Sequence, residues 1–241
     1  MEFINYAHRG ASEYRPENTL SSFYMGWQLG ANGIETDVQR TRDGVLVLFH
    51  DDTLQRIAGR SERICDLTYA EVCQIDAGVH KGAAFAGERI PTFEEFLHHF
   101  GSKGLHLAIE IKQAGIEEDL IALLRKYRCD NEMTVITSFK WEPLLTVRRL
   151  APDLKTGYLC KHTDDQLLES MLAAGIWQYC PKAADLEEAW LQKFRAAGFS
   201  IRAWGVKDEA LMHKALDMRV DGMTVNFPDK LQSALQRSAL F

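Results

Sequence analysis

Residues 33–50 read GIETDVQRTRDGVLVLFH. Two apolar runs, 33–39 and 45–49, flank Thr41-Arg42-Asp43-Gly44. Asp-Gly between apolar runs is a strong tight-turn signal. A turn that short joins only antiparallel neighbours, because a parallel crossover needs about a dozen residues or more. The second run therefore folds back on the end of the first as a β-hairpin.

Further strand-like runs lie at 3–7, 105–111, 133–138, 154–159, 176–180, 200–206 and 222–225. Removing the hairpin strand leaves eight. Amphipathic helical patterns separate most of them, as where Leu20, Phe23, Tyr24 and Trp27 recur at i, i+3, i+4 and i+7. The last four strands begin at 154, 176, 200 and 222, spaced by 22, 24 and 22 residues. Asp164, Asp185 and Asp208 sit where helix N-caps belong, with Asp185-x-x-Glu188 as a capping box, and Gly175 and Gly198 sit where helices end. This beat predicts βα units around a parallel sheet, a (β/α)8 TIM barrel with a β-hairpin after strand 2.

Residues 51–91 break the rhythm. They show no strand, a possible cap at Thr68-x-x-Glu71, and Gly78, Gly82 and Gly87. An insertion of that length is either a lid or substrate-shaping element near the barrel mouth, or a packed surface loop. No linker, internal charge run or low-complexity tract divides the chain, so residues 1–241 read as one barrel domain.

The bulk properties exclude several classes. Of the 241 residues, 46% are apolar and 26% charged, which is globular composition rather than disorder. A net charge of −6 argues against nucleic-acid binding, which needs a basic surface. Cys65, Cys73, Cys129, Cys160 and Cys180 are odd in number and form no C-x-x-C pair, which suits reduced thiols better than a disulfide frame. The opening MEFINYAHRG lacks the basic start and apolar core of a signal peptide, and no apolar stretch is long enough for a membrane span. A soluble, cytoplasmic chain is expected; its oligomeric state stays open.

Glu35 and Asp37 lie two apart on a strand and so face the same way. Alone, such a pair more often marks an exposed strand face. A second pair, Glu110 and Lys112, changes the balance: three inward carboxylates and an ammonium are costly in a core and balance around a metal and a phosphate. Oxygen ligands favour Mg²⁺ or Ca²⁺. Glu35, Asp37 and Glu110 thus read as metal ligands and Lys112 as a phosphate clamp. His8 and His50 each follow an apolar strand at the end where barrel active sites form, and suit an acid/base pair. The other six histidines give no reason to leave a structural role. Arg9 can grip a phosphate. Glu17 is placed to pair with Arg9, and Asn18 to cap the first helix. Trp204 is divided evenly between core packing and stacking on a ligand.

With these residues in view, the chain resembles the glycerophosphodiester phosphodiesterase family over its whole length. The resemblance runs through HRGASEYRPENTLSSF, GIETDVQRTRDGVLVLFHDDTLQR, IPTFEEFL, LAIEIK, ITSF, AWGVK and VDGMTVNFPD. It implies a barrel that hydrolyses glycerophosphodiesters to glycerol 3-phosphate and an alcohol. By matching position, it implies Glu35, Asp37 and Glu110 as metal ligands, His8 and His50 as acid/base residues, and Arg9 and Lys112 as phosphate contacts. Two departures stand out. Trp204-Gly205-Val206-Lys207 replaces Trp-Thr-Val-Asn, and Val225-Asn226 replaces Thr-Asp before the aromatic-proline pair. Both bear on the substrate pocket.

The expected chemistry is metal-assisted. One histidine activates water or the neighbouring glycerol hydroxyl, and the other protonates the leaving alkoxide; either order fits, and His8 is taken as the base. The histidines exchange roles if a cyclic phosphate forms and is then hydrolysed. Competing readings are a related phosphodiesterase acting on lysophospholipids or another diester, a barrel isomerase or aldolase, and a non-catalytic binding barrel.

Overall fold

The computed structural model describes residues 2–238. Among these, nine strands form one sheet: β1 (Ile4–His8), β2 (Gly33–Arg40), β3 (Leu46–Leu48), β4 (His106–Ile111), β5 (Thr134–Ser138), β6 (Lys155–Leu159), β7 (Gln178–Cys180), β8 (Ser200–Val206) and β9 (Gly222–Val225). Neighbours run β1-β9-β8-β7-β6-β5-β4-β2-β3, and a further β1–β2 pairing closes the ring. The eight strands other than β3 are parallel, so the protein is a TIM barrel.

The β3 strand is the hairpin arm that the Asp-Gly turn predicts. It pairs antiparallel with β2, Val38 facing Leu48 and Arg40 facing Leu46. Gly44 takes φ +92°, a left-handed value that favours glycine, while Thr41 Oγ1 donates to Asp43 Oδ1 at 2.7 Å inside the turn. The outer edge of β3 is covered as well, since Leu48 N donates to Pro91 O. The arm is shorter than 45–49, and β1 extends through His8, so His8 ends its strand instead of following it.

Ten α-helices follow in chain order: α1 (Leu20–Gln28), α2 (Gln55–Ala58), α3 (Tyr69–Val72), α4 (Phe93–Phe100), α5 (Glu117–Lys126), α6 (Trp141–Leu150), α7 (Asp165–Ala173), α8 (Glu188–Ala196), α9 (Glu209–Asp217) and α10 (Pro228–Ser238). The α4 helix shows how the sequence sets them. Thr92 and Glu95 form a capping box, and Phe93, Phe96, Leu97 and Phe100 then bury one face. Each large side chain so buried contributes about 1.5–3 kcal/mol. Phe96 and Phe100 meet Phe23 of α1 edge-on at 4.9 and 5.8 Å, over the outer face of the barrel.

Asp164 and Asp208 do cap α7 and α9. Asp185 does not cap α8: it ends a short 3-10 turn, and the helix starts three residues later behind Glu187. The two residues after that turn take extended backbone, so the cap register slips.

The 51–91 segment contains no strand, as expected, but it is well packed. Thr68 and Glu71 form a capping box on α3. Leu54, Ile57, Ile64, Leu67, Val72 and Ile75 bury together against Val47 and Phe49 of the hairpin. This small core roots the insertion on the arm that leads to His50.

Candidate active site

Strand register assembles the acidic cluster. His8 lies level with Glu35 across β1–β2, and Asp37 with Glu110 across β2–β4. Because Glu35 and Asp37 are two apart, both reach the inner face at the C-terminal end of the barrel. One carboxylate oxygen from each of Glu35, Asp37 and Glu110 lies within 4.8 Å of the others, and all three residues are buried.

The loop after β1 is bent sharply to serve this cluster. Arg9 and Asn18 both take φ +55°, uncommon for residues with side chains and an indication of stored strain. Gly10, at φ +85°, lies so close to Ser22 that a Cβ would fall 2.3 Å from its Oγ. Arg9 Nη1 donates to Glu17 Oε1 at 2.9 Å, and its Nε stands 3.1 Å from Asp37 Oδ2. The expected Arg9–Glu17 pair is therefore present. Asn18 is not the helix cap: Thr19 accepts from Ser22 N in that role. Asn18 turns inward instead, donating from Nδ2 to Asp37 Oδ2 and accepting from Thr36 Oγ1.

Burial and neighbouring charge divide the three carboxylates. Burial, with Asp37 and Glu110 beside it, pushes Glu35 up to about 8. Burial and Asp37 push Glu110 up to about 7, against the pull of Lys112, whose Nζ lies 2.8 Å away. Burial would raise Asp37 too, but Arg9 and Lys112 outweigh it and hold Asp37 well below the usual carboxylate range. Lys112 stays charged because Glu110 and Asp37 overcome its desolvation.

A hard divalent cation fits this donor set. The ligands are all oxygen, and Asp37 Oδ1 is buried without a hydrogen-bond partner. Two of the carboxylates resist ionisation because they are buried beside other carboxylates, a cost that a cation would relieve.

The histidines come from separate segments of the chain. His8 Nδ1 lies 2.6 Å from Asn226 Oδ1, which also accepts from Ser12 Oγ at 2.9 Å. Burial, then Arg9, lowers His8 to about 4. His50 arrives by the hairpin, one residue after Phe49 N donates to Asp37 O. Its Nδ1 lies 2.7 Å from Asp51 Oδ1. Arg56 of α2 fastens this side, donating from Nε to Asp51 and from both terminal nitrogens to Glu17. Despite burial, those contacts hold Asp51 down at about 2 and lower Glu17.

His8, Arg9, Glu35, His50 and Glu110 line one wall of a cavity of about 280 Å³. Phe139, Leu159, Trp204 and Val206 form much of the other. Trp204 is thus at the site and not in the core. Its Nε1 donates to Cys160 O at 3.2 Å, and its ring meets Phe139 edge-on at 5.0 Å. Lys112 stands behind this surface, against Glu110 and Asp37. None of the other six histidines lines the cavity. A depression of about 380 Å³ between Arg15 and the insertion brings together no such acid/base set.

Arg56 and Arg202 escaped the sequence reading, as did the roles of Asp51 as partner of His50 and of Asn226 as partner of His8. Arg202 is fully buried in the barrel, donating to Gln178 Oε1 and Thr224 Oγ1 with its guanidinium 5.2 Å from the Tyr6 ring centre. Its spacing of two from Trp204 was a usable signal, since it places both on one strand face.

A model described as the glycerophosphoryl diester phosphodiesterase family matches residues 8–230. The chain is 34% identical over 242 residues to a glycerophosphodiester phosphodiesterase of Caldanaerobacter subterraneus subsp. tengcongensis, covering 98% of this chain and 99% of the relative. It is 32% identical over 247 residues to a glycerophosphodiester phosphodiesterase of Bacillus subtilis, covering 94% and 84%. An Oleispira antarctica phosphodiesterase, solved in complex with the product sn-glycerol-3-phosphate, matches with a TM-score of 0.87 and 30% identity over 96% of each chain. No described helix is long and apolar enough to cross a membrane.

Proposed function

We propose, from the premise that this chain belongs to the glycerophosphoryl diester phosphodiesterase family, that it hydrolyses glycerophosphodiesters to glycerol 3-phosphate and an alcohol by metal-assisted, two-histidine acid/base catalysis. The observation that carries this reading is the Glu35–Asp37–Glu110 cluster with His8 and His50 lining the same cavity, each backed by a different partner. The barrel acts as one domain, with residues 51–91 bracing its mouth through Arg56.

Glu35, Asp37 and Glu110 would hold Mg²⁺ or Ca²⁺. When bound, the cation supplies Lewis-acid polarisation of a phosphoryl oxygen and relieves the carboxylate repulsion. Arg9, in the cavity wall, grips the phosphodiester with its guanidinium. Lys112 adds positive charge from behind Glu110. Together they oppose the negative charge that grows on the phosphoryl oxygens in the transition state.

The partners of the histidines separate their roles. Asn226 Oδ1 already accepts from Ser12, so it also accepts the Nδ1 proton of His8 and leaves His8 Nε2 with a free lone pair. Neutral at pH 7, His8 takes the proton of the attacking hydroxyl, from water or the neighbouring glycerol. His50 has the Asp51 carboxylate at Nδ1, which fixes the orientation of its ring. His50 gives its proton to the leaving alkoxide as the P–O bond breaks. If attack comes from glycerol and a cyclic phosphate forms, the two exchange duties for its hydrolysis. Trp204 and Phe139 shape the pocket for the organic part of the substrate.

The test is release of glycerol 3-phosphate from glycerophosphocholine. We expect turnover with Mg²⁺ or Ca²⁺, loss with chelator, and recovery when the cation is restored. Absence of release with metal restored, from this and other glycerophosphodiesters, would overturn the reading.

A further inference from the structure

The β5–β8 side of the mouth repeats one residue type. Lys140, Lys161, Lys182 and Lys207 follow the ends of β5, β6, β7 and β8 by one or two residues. Four adjacent barrel strands therefore each deliver a lysine at the same end of the barrel, in a chain of net charge −6. Lys207 lines the catalytic cavity. Lys161 lines an adjoining depression of about 420 Å³ that shares Phe139 and Leu159 with it. Lys140 Nζ reaches the carbonyl of Lys112 at 3.4 Å, and Lys182 pairs by backbone with Trp204.

These charges are largely uncommitted. The nearby acids Asp164 and Asp208 are turned to the amides of Leu167 and Leu211 as helix caps. Only Lys182 has a carboxylate in reach among the described residues, Asp185 at 3.7 Å. Lys161 instead lies over the Phe139 ring at 5.7 Å. The carboxylates of the opposite wall are already opposed by Arg9, Arg56, Lys112 and Arg202. A divalent cation there, with a monoanionic phosphodiester and a protonated His50, leaves that wall with no net negative charge, so the lysines are not needed for the scissile phosphate.

We propose that the preferred substrates carry a second anionic group, a phosphate or a carboxylate, on the leaving alcohol, held by Lys161 and Lys207 with Lys140 and Lys182 beside them. The inference rests on the phosphodiesterase reading and extends it to the alcohol side. Charges exposed at a rim act within about one Debye length, roughly 8–10 Å at moderate salt, so the effect is local and salt-sensitive.

The experiment compares kcat/KM for three Mg²⁺-supplemented substrates that share a three-carbon leaving group: the glycerophosphodiesters of glycerol, glycerate and glycerol phosphate. At low salt we expect at least about tenfold preference for one or both anionic esters over the glycerol ester. Preference for the phosphate-bearing ester alone identifies phosphate; preference for both identifies any anion. The ratio should fall towards one in about 0.5 M salt and in Lys161→Gln/Lys207→Gln. It should persist in Lys126→Gln/Lys193→Gln, which removes equal charge from the helices α5 and α8. Equal rates on all three esters would overturn the inference alone, as would a ratio that the mouth variant leaves unchanged or that the helix variant lowers equally. Hydrolysis of none of them would overturn the phosphodiesterase reading with it.

Discussion

On the β1, β2 and β4 side of the cavity, charged side chains hold one another: Arg9 engages Glu17 and Asp37, Lys112 engages Glu110, and Arg56 engages Glu17 and Asp51. On the β5–β8 side the wall is mostly aromatic and aliphatic, and of its rim lysines only Lys182 has a carboxylate in reach among the described residues. The first wall is over-determined, to the point of holding Arg9 and Asn18 in left-handed backbone. A site that must place three carboxylates and two histidines within ångströms needs that rigidity. On the proposed reading, the second wall only has to accept an alcohol. The contrast separates reaction from selectivity across one cavity.

Breaking the first wall should produce the largest effects. Asp37→Asn removes the one carboxylate held ionised in the cluster, and His50→Ala removes the proposed proton donor. Each is expected to lower kcat by about a hundred- to ten-thousand-fold, measured as glycerol 3-phosphate release, with the far-ultraviolet circular dichroism spectrum retained. Near-normal turnover in either variant contradicts the assignment.

Much of this wall was legible in the sequence. Period-two spacing puts Glu35 with Asp37 and Glu110 with Lys112 on one face, and Asp43-Gly44 returns His50 to the mouth. Local signals of this kind follow from backbone geometry alone. The partners that define roles were not legible, because they come from distant chain: Asn226 reaches His8 across 218 positions, and Arg56 reaches Glu17 across 39. Asn18 shows a subtler failure. A residue suited to capping sits one place early, and the cluster uses its amide while Thr19 takes the cap. Asp185 likewise has a capping sequence, and the local 3-10 turn displaces the helix beyond it.

Arg56 tests whether the insertion belongs to the first wall. Arg56→Ala leaves every catalytic group in place but frees Asp51 and Glu17, so kcat should fall about ten- to a hundredfold with KM little changed. An equal loss in Arg56→Lys would show that the forked geometry matters and not only the charge; full activity in both would detach the insertion from catalysis.

The second wall should respond differently. Trp204→Ala removes a packing surface and no proton-transfer group, so KM for glycerophosphocholine should rise about tenfold while kcat changes less. A fall in kcat comparable to that of His50→Ala would erase the distinction between the walls.

The smallest effect is thermodynamic. Glu35 at about 8 and Glu110 at about 7 lie above the ordinary carboxylate value, so between about pH 4.5 and 8 these two groups hold more protons in the folded metal-free protein than in the unfolded chain. Their contribution to stability is therefore lost as pH rises through that window. A bound cation takes the place of those protons. The gap in melting temperature between Mg²⁺-saturated and chelated protein should widen by a few degrees from pH 5.5 to 8. A gap that stays constant or narrows would count against a cation at these carboxylates.

The division of labour between the histidines is tested most directly by changing the leaving group. Glycerophospho-p-nitrophenol departs as a weakly basic phenolate and needs little protonation. On this substrate His50→Ala should recover to within about tenfold of the wild type, while His8→Ala should remain as impaired as it is on glycerophosphocholine. Recovery in His8→Ala, or equal impairment of His50→Ala on both substrates, would contradict the account.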